Sequence, residues 1–408
     1  MIASSYFDSN KILARNSTKK NYEVCLFFYL DSPTITLKNI GMGESKRILL
    51  IGSGGREHAI AHQLVKSSRC ESLFIAPGNP GTFQCGENVD IDISNPSSVI
   101  EFVKLNNIDL TFVGPEQPLA DGIVDAFESE GLAIVGPNKE ASQLESSKAW
   151  AKAKYKKYGI PTASYGEFTD LDAAMAYITE KNEYPIVIKA DGLAAGKGVT
   201  IAQSFDDAKT ALDDCFVNKV FQSAGDCVVI EDFLHGEEAS LFAFTDGITV
   251  VPMVSAQDHK AIYDGDTGPN TGGMGAYSPA PVLTKDVQEK VMDQILQPLV
   301  DGFRSDGIVY KGILYAGLMI DDSGDPYVVE FNIRFGDPET QIVLPKLNTD
   351  LISILEAISN ESLGSLSIEW NDRHTVCVVM AANGYPAAYN KGDLISGIHD
   401  SSDTQTWV

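Results

Sequence analysis

The sequence predicts a multidomain protein in which a doubly wound α/β unit is followed by α+β units. Two patterns carry this reading. Between residues 46 and 136, short apolar runs alternate with helical stretches, as expected for strands buried on both faces of a parallel sheet. Beyond about residue 184 the apolar runs follow one another with fewer helical crossovers. A chain of 408 residues also exceeds what one small core organises, so two to four compact units are expected.

Taken in order, residues 1–41 carry Ser, Asn and Lys, one apolar patch at Val24 to Leu30 and little periodicity. They read as an N-terminal extension without catalytic role. It is either disordered sequence upstream of a start at Met42 or a targeting peptide. The runs at 48–51, 73–76, 108–113 and 132–135 then predict the parallel sheet. Three of its strands end in turns suited to phosphate: GSGG at Gly52, APGNPGT from Ala76 to Thr82, and VGPEQPL from Val113 to Leu119. Ligands of such sheets sit at the carboxyl ends of strands, so these loops converge on one site. GSGGREHA departs from a dinucleotide fingerprint because Glu57 replaces the final glycine. Arg56 at a helix N-terminus favours a phosphate monoester instead. His58 and His62 read as packing residues, since the pair lacks H-E-x-x-H.

A helix is expected from about Glu140 to Tyr158, then strands at 186–190, 199–202, 227–233, 239–245 and 248–255. YPIVIKADGLAAGKG (Tyr184 to Gly198) delivers Lys189 from an apolar strand into a loop of small residues with a second cation, Lys197. Small residues let backbone amides close on phosphate oxygens, and lysines neutralise their charge. The loop is not a G-x-x-x-x-G-K-[ST] loop, because Gly198 follows Lys197. In VIEDFLHGEEAS, Glu231, Phe233 and Leu234 suit a linker that recognises adenine, and Glu238 suits ribose. Taken alone, the same stretch is also a plain acidic hairpin. The Gly-rich segment from Ser255 to Pro279 reads as a functional loop. Val287, Val291, Ile295 and Leu299 predict a helix that Pro298 should bend. Strands at 313–320 and 327–331 flank a turn, a helix follows Thr349, and a strand at 376–380 opens a third unit. On the strand in YVVEFNIRFGDPE, Glu330 and Asn332 share a face, which suits Mg²⁺ completed by phosphates and water. Arg334 falls next on that face, placed for a carboxylate or a transferred phosphoryl group.

Composition narrows the function further. The chain has 31 Lys and Arg against 56 Asp and Glu, a net charge of −25. That excludes a general nucleic-acid binder, which needs a basic face. The six cysteines are scattered without C-x-x-C, as in a reducing compartment. No apolar run reaches membrane-spanning length.

Together these stretches resemble the glycinamide ribonucleotide synthetase (phosphoribosylamine–glycine ligase) family of ATP-grasp enzymes. GSGGREHA, APGNPGT, VGPEQPL, VIKADGLAAGKGV, GEEAS, QDHK, DTGPNTGGMGAYSPAP and EFNIRFGDPETQ occur in family order from about Lys46. The resemblance implies four segments: an extension (1–44), a preATP-grasp domain binding the phosphoribosylamine phosphate (45–146), an ATP-grasp domain (147–358) and the start of a C-terminal domain (359–408). This last domain is expected to be incomplete, since the chain stops at TQTWV. The implied reaction is ATP-dependent ligation of glycine to 5-phosphoribosylamine through glycyl phosphate, in purine biosynthesis. Mg²⁺ or Mn²⁺ is the implied cofactor. Partners are the three substrates, without nucleic acid or membrane, and a monomer is expected. The implied location is the cytoplasm, or an organelle if residues 1–41 are a transit peptide.

Carried onto this chain, the family's motifs imply catalytic residues Arg334, Asp258 and Lys260. ATP would be held by Lys148, Lys189, Gly196, Lys197, Glu231, Phe233, Leu234 and Glu238, and the metal by Glu330 and Asn332. The other substrates would meet Gly54, Gly55, Arg56, Asn79, Gly81, Thr82, Glu116, Asn270, Thr271, Gly272, Gly273, Met274 and Asp337. Ala261 follows Lys260 where the family often has Arg. Rival readings are a related ATP-grasp ligase or carboxylase, a nicotinamide dehydrogenase and a non-enzymatic nucleotide binder. The TGPNTGGMGAYSP loop speaks against the first, and Glu57 with the second unit against the dehydrogenase.

Overall fold

The structure is a computed structural model that describes residues 24–30, 44–193, 198–395 and 406–407, the first and last of these by backbone alone. The N-terminal unit is a parallel sheet in the order Glu87–Asn88, Cys70–Pro77, Lys46–Gly52, Leu110–Val113, Ile134–Val135. Its central strand shows why the run is unbroken. Ile48 and Leu50 enter one hydrophobic core while Leu49 and Ile51 enter another, and all four are fully buried. Each such side chain contributes about 1.5–3 kcal/mol on burial, so neither face tolerates a polar residue.

Two antiparallel sheets follow. The first has the order Tyr165–Phe168, Val228–Asp232, Ile186–Ala190, Val199–Ala202. Helices Leu171–Lys181 and Phe205–Phe216 cover it around a separate core. The second has the order Val250–Pro252, Glu237–Thr245, Gly312–Ile320, Pro326–Asn332. In Glu237–Thr245, Leu241 and Ala243 join the core of Leu49, whereas Phe242 and Phe244 join that of Ile48. The N-terminal sheet and this sheet therefore share both cores, while the first antiparallel sheet stands as its own lobe.

Four expectations are refined. The helix expected over 140–158 is two pieces, Gln143–Ser146 and Lys148–Tyr158. They are separated by extended Ser147, whose hydroxyl caps the second piece by accepting from Trp150 N. The helix carrying Pro298 runs through a π-helical turn, Met292–Leu296, between Lys285–Val291 and Gln297–Ser305. A widened turn is one way to place a residue that has no N–H and crowds the preceding carbonyl. The expected strand at 376–380 is His374–Met380, and it pairs antiparallel with Gly275–Ser278 from the Gly-rich segment. Its other edge pairs with Val24–Leu30, the apolar patch of the extension. Within the Gly-rich segment, Ala261–Tyr263 and Thr267–Asn270 form an exposed hairpin where a loop was expected. No helix among the described residues is long and apolar enough to cross a membrane.

Candidate active site

A cleft of about 320 Å³ lies between the two antiparallel sheets and the N-terminal unit. Strand Ile186–Ala190 delivers Lys189 into it. The Lys189 ammonium pairs with Glu231 Oε1 at 3.0 Å and donates to the Val329 carbonyl at 3.0 Å. That carbonyl comes from a bulge. The register runs from Leu318 opposite Val328 to Gly317 opposite Glu330, which leaves Val329 unpaired between them. Glu231 lies within strand Val228–Asp232, ahead of the linker position expected for it. Its second oxygen pairs with Lys152 at 2.9 Å. Phe233 and Leu234 follow in the connection to Glu237–Thr245, and neither they nor Glu238 line the cleft. Lys148, at the first turn of its helix, donates to the Gly192 carbonyl at 3.0 Å. Burial lowers its pKa, with Lys189 adding to this and Glu330 opposing it.

Glu330 and Asn332 both line the cleft, together with Val329 and Phe331 of the same strand. Burial alone would raise the Glu330 pKa, but Lys260, Lys189, Lys148 and Arg334 together hold it below the usual carboxylate value. Arg334 is fixed on all sides. Nε donates to Glu116 Oε2 at 3.1 Å, and Nη1 to the Phe335 carbonyl at 3.1 Å. Nη2 donates to Glu145 Oε1 at 2.7 Å and to Asn332 Oδ1 at 3.0 Å. Glu145 also accepts from Ile333 N at 2.8 Å. Burial raises the Glu145 pKa, and Arg334 only partly offsets it.

Asp258 and Lys260 enter from the Gly-rich segment. Lys260 pairs with Glu238 at 3.0 Å and with Asp258 at 3.5 Å. Burial would lower its pKa, yet Asp258, Glu238 and Glu330 outweigh this and raise it. Behind them Tyr315 donates to buried Glu339, whose pKa is pushed up to about 7 by burial and by Asp258. Thr271 and Gly272 line the cleft, with Thr271 donating to the Lys260 carbonyl through N and Oγ1. Asn270, Gly273 and Met274 do not line it.

The N-terminal turns behave differently from expectation. Gly52 has φ +132°, and a Cβ there would fall 2.4 Å from Glu57 Cγ; a Cβ on Gly114 would fall 2.1 Å from Glu57 Oε1. Glu57 thus fills the space beneath two glycines. It accepts from Gly54 N at 2.6 Å and from Arg56 Nε at 2.6 Å. Arg56 is not an open anion clamp: it is buried, Nη1 donates to the Phe335 carbonyl at 3.2 Å, and its amide donates to Asp337 Oδ2 at 3.2 Å. In the neighbouring turn, Asn79 Oδ1 accepts from Gly81 N and Thr82 N, and Thr82 Oγ1 donates to Asn88. Gly54, Gly55, Arg56, Asn79, Gly81 and Thr82 therefore form a turn cluster beside the cleft rather than its wall. Glu116 and Asp337 belong to the wall.

Gly196 and Lys197 lie outside the described residues. Among the wall residues that escaped the sequence, four carry polar chemistry: Lys152, Glu145, Tyr315 and Glu339; Tyr155, also polar, is fully buried. Lys152 alone left a signal, standing one helical turn after Lys148 and so on the same face. Among the described residues no group of three or more His, Cys, Asp or Glu is arranged to hold a metal ion. Glu330 and Asn332 fit a hard cation only as a pair of oxygens whose other positions a nucleotide fills, which is how Mg²⁺ is usually bound.

Residues 46–145 match the phosphoribosylglycinamide synthetase, N domain, family, and residues 146–340 match its ATP-grasp (A) domain. A phosphoribosylamine–glycine ligase of Neisseria meningitidis is 53% identical over 352 residues, covering 86% of this chain and 83% of that protein. The same enzyme of Vibrio parahaemolyticus is 50% identical over 354 residues, covering 86% and 82%. The crystal structure of phosphoribosylamine–glycine ligase from Thermotoga maritima superposes with a TM-score of 0.71 at 34% identity, covering 84% and 82%. A biotin carboxylase domain from Hydrogenobacter thermophilus shares the fold at 16% identity, TM-score 0.64, covering 82% and 74%.

Proposed function

The chain belongs to the phosphoribosylglycinamide synthetase family, and from that premise we propose that it joins glycine to 5-phosphoribosylamine, converting ATP to ADP and phosphate. The observation that carries this is the cleft itself. Lys148, Lys189, Lys260 and Arg334 converge there on the Glu330–Asn332 pair, in a chain whose net charge is −25. With Lys152 they stand among seven carboxylates of the lining, a mixed charge that suits a polyphosphate bound together with a divalent cation.

The glycine carboxylate attacks the γ-phosphorus, the bond to the bridging β–γ oxygen breaks, and ADP leaves. Lys148 and Lys189 screen the phosphate charge as the nucleophile approaches. Arg334, held by Glu116, Glu145 and Asn332, is oriented for the transferred phosphoryl group. The phosphoribosylamine nitrogen then attacks the acyl carbon, phosphate departs, and the surplus proton leaves the nitrogen. A divalent cation, Mg²⁺ or Mn²⁺, held by Glu330 and Asn332 would neutralise phosphate charge when bound. Gly192, Leu193, Gly198 and Val199 wall the cleft on either side of 194–197 and help keep water from the acyl phosphate. The turn cluster beside Glu116 and Asp337 is the place for the ribose phosphate.

Release of ADP, followed with each substrate omitted in turn, tests the proposal. It requires ADP formation to depend on glycine and phosphoribosylamine together. Turnover with bicarbonate in place of glycine would assign the chain to a carboxylase chemistry instead.

A further inference from the structure

Lys152, Glu231 and Lys189 form a closed triad at the floor of the cleft, each no more than 4% exposed. One carboxylate is shared by two ammonium groups, through Oε2 at 2.9 Å and Oε1 at 3.0 Å. Two positive charges against one negative leave the triad with a net +1. Lys152 lines the cleft as well. Lys152 also donates a hydrogen bond to Thr162 Oγ1 at 2.7 Å, and Thr162 in turn donates to the Val328 carbonyl at 2.7 Å. The chain of contacts thus runs from one lobe to the strand that carries Glu330.

We propose that Lys152 is a positioning residue for ATP binding: by sharing Glu231 it prevents that carboxylate from neutralising Lys189, and so leaves one positive charge for the polyphosphate. The inference rests on the reading of this cleft as a nucleotide site. It differs from a strut role in its charge arithmetic. Lys152→Met reduces the triad to zero, because Glu231 then pairs with Lys189 alone. Adding Glu231→Gln restores +1, because Lys189 then faces a neutral amide.

The test is ATP binding to the full chain, measured by titration calorimetry, for the parent, K152M, K152Q, E231Q and the double variant K152M/E231Q, with melting temperatures recorded alongside. K152M weakens ATP on the order of tenfold, the equivalent of ~1.4 kcal/mol. K152Q, which keeps a donor for Thr162, weakens it equally. E231Q binds at least as well as the parent, and the double variant returns to within threefold of it. Mutations that act on one charge network are non-additive in this way, whereas a lost strut is not rescued by a second loss. A double variant as weak as K152M, or parent-like binding by K152Q, overturns the inference. A parent chain that binds no ATP overturns both this inference and the functional reading. ATP binding that follows the charge order without glycine-dependent ADP release overturns only the functional reading.

Discussion

Replacing Glu145 by glutamine isolates how Arg334 is aimed. The substitution is isosteric, so one side-chain oxygen still accepts from Ile333 N, now at 2.8 Å from a carboxylate oxygen. The other position becomes an NH₂ facing Arg334 Nη2, which lies 2.7 Å away in the parent. Donor meets donor, and Nη2 keeps only Asn332 Oδ1 at 3.0 Å. A hydrogen bond to a charged group contributes about 1.5–3 kcal/mol, and Glu116 still neutralises the guanidinium, so the stability loss should stay within that range. The functional loss should be larger. With Glu116 as its one remaining carboxylate partner, Arg334 swings toward the N-terminal unit, and a misplacement of about 1 Å can lower turnover on the order of 10²-fold. Urea denaturation and steady-state ADP release on the same preparations measure the two effects. Turnover within twofold of the parent, beside a clear loss of stability, would show that Glu145 supports the strand end without aiming Arg334.

Glu330→Gln should lower turnover on the order of 10²–10³-fold, and the deficit should narrow as Mg²⁺ is raised; a magnesium titration with an unchanged half-saturation point would refute the metal assignment. Arg56→Ala should raise the KM for phosphoribosylamine far more than that for ATP, because Arg56 ties Glu57 to Phe335 in the turn cluster; equal effects on both KM values would contradict the placement. Lys152 gives a paired pH signature. Burial, with Lys189 acting the same way and Glu231 opposing, lowers its pKa from 10.5 to about 8. Between those values the unfolded chain holds a proton that the folded chain has lost, so this group makes stability rise with pH across that window. ATP affinity should fall as pH passes through about 8, where the triad loses its net charge. Calorimetric ATP titrations and denaturation curves at pH 7 and 9 check both signs.

The cleft residues that strands carry were the most legible in the sequence. Alternation along a strand pairs Glu330 with Asn332 from spacing, and the apolar strand running into a loop of small residues marks Lys189. Helical and loop residues gave weaker handles: the helical spacing of Lys152 after Lys148 was one, and Glu145 had none. Glu145 meets Ile333 across 188 residues of sequence, and nothing in QLESS marks it. The same limit applies to Pro298, whose expected bend is taken up by a π turn that only packing selects.

Glu57 shows how an absence in sequence can be a presence in structure. As a break in the glycine pattern it argued only against a dinucleotide. In the fold, its carboxylate occupies the hollow beneath Gly52 and Gly114 and takes the Gly54 amide. Asp337 takes the Arg56 amide, and Asn79 takes those of Gly81 and Thr82. The N-terminal turns therefore hold their own acceptors in the places where a phosphate would be expected. A ribose phosphate bound there, as proposed above, would compete with these acceptors for the same amides. Asp337 is the acceptor best placed to yield. It comes from another unit, it lines the cleft, and burial already raises its pKa, so its charged form is held less firmly than that of an ordinary carboxylate. Asp337 follows Arg334 by three residues and both line the cleft, so the exchange would take place beside the phosphoryl-transfer side.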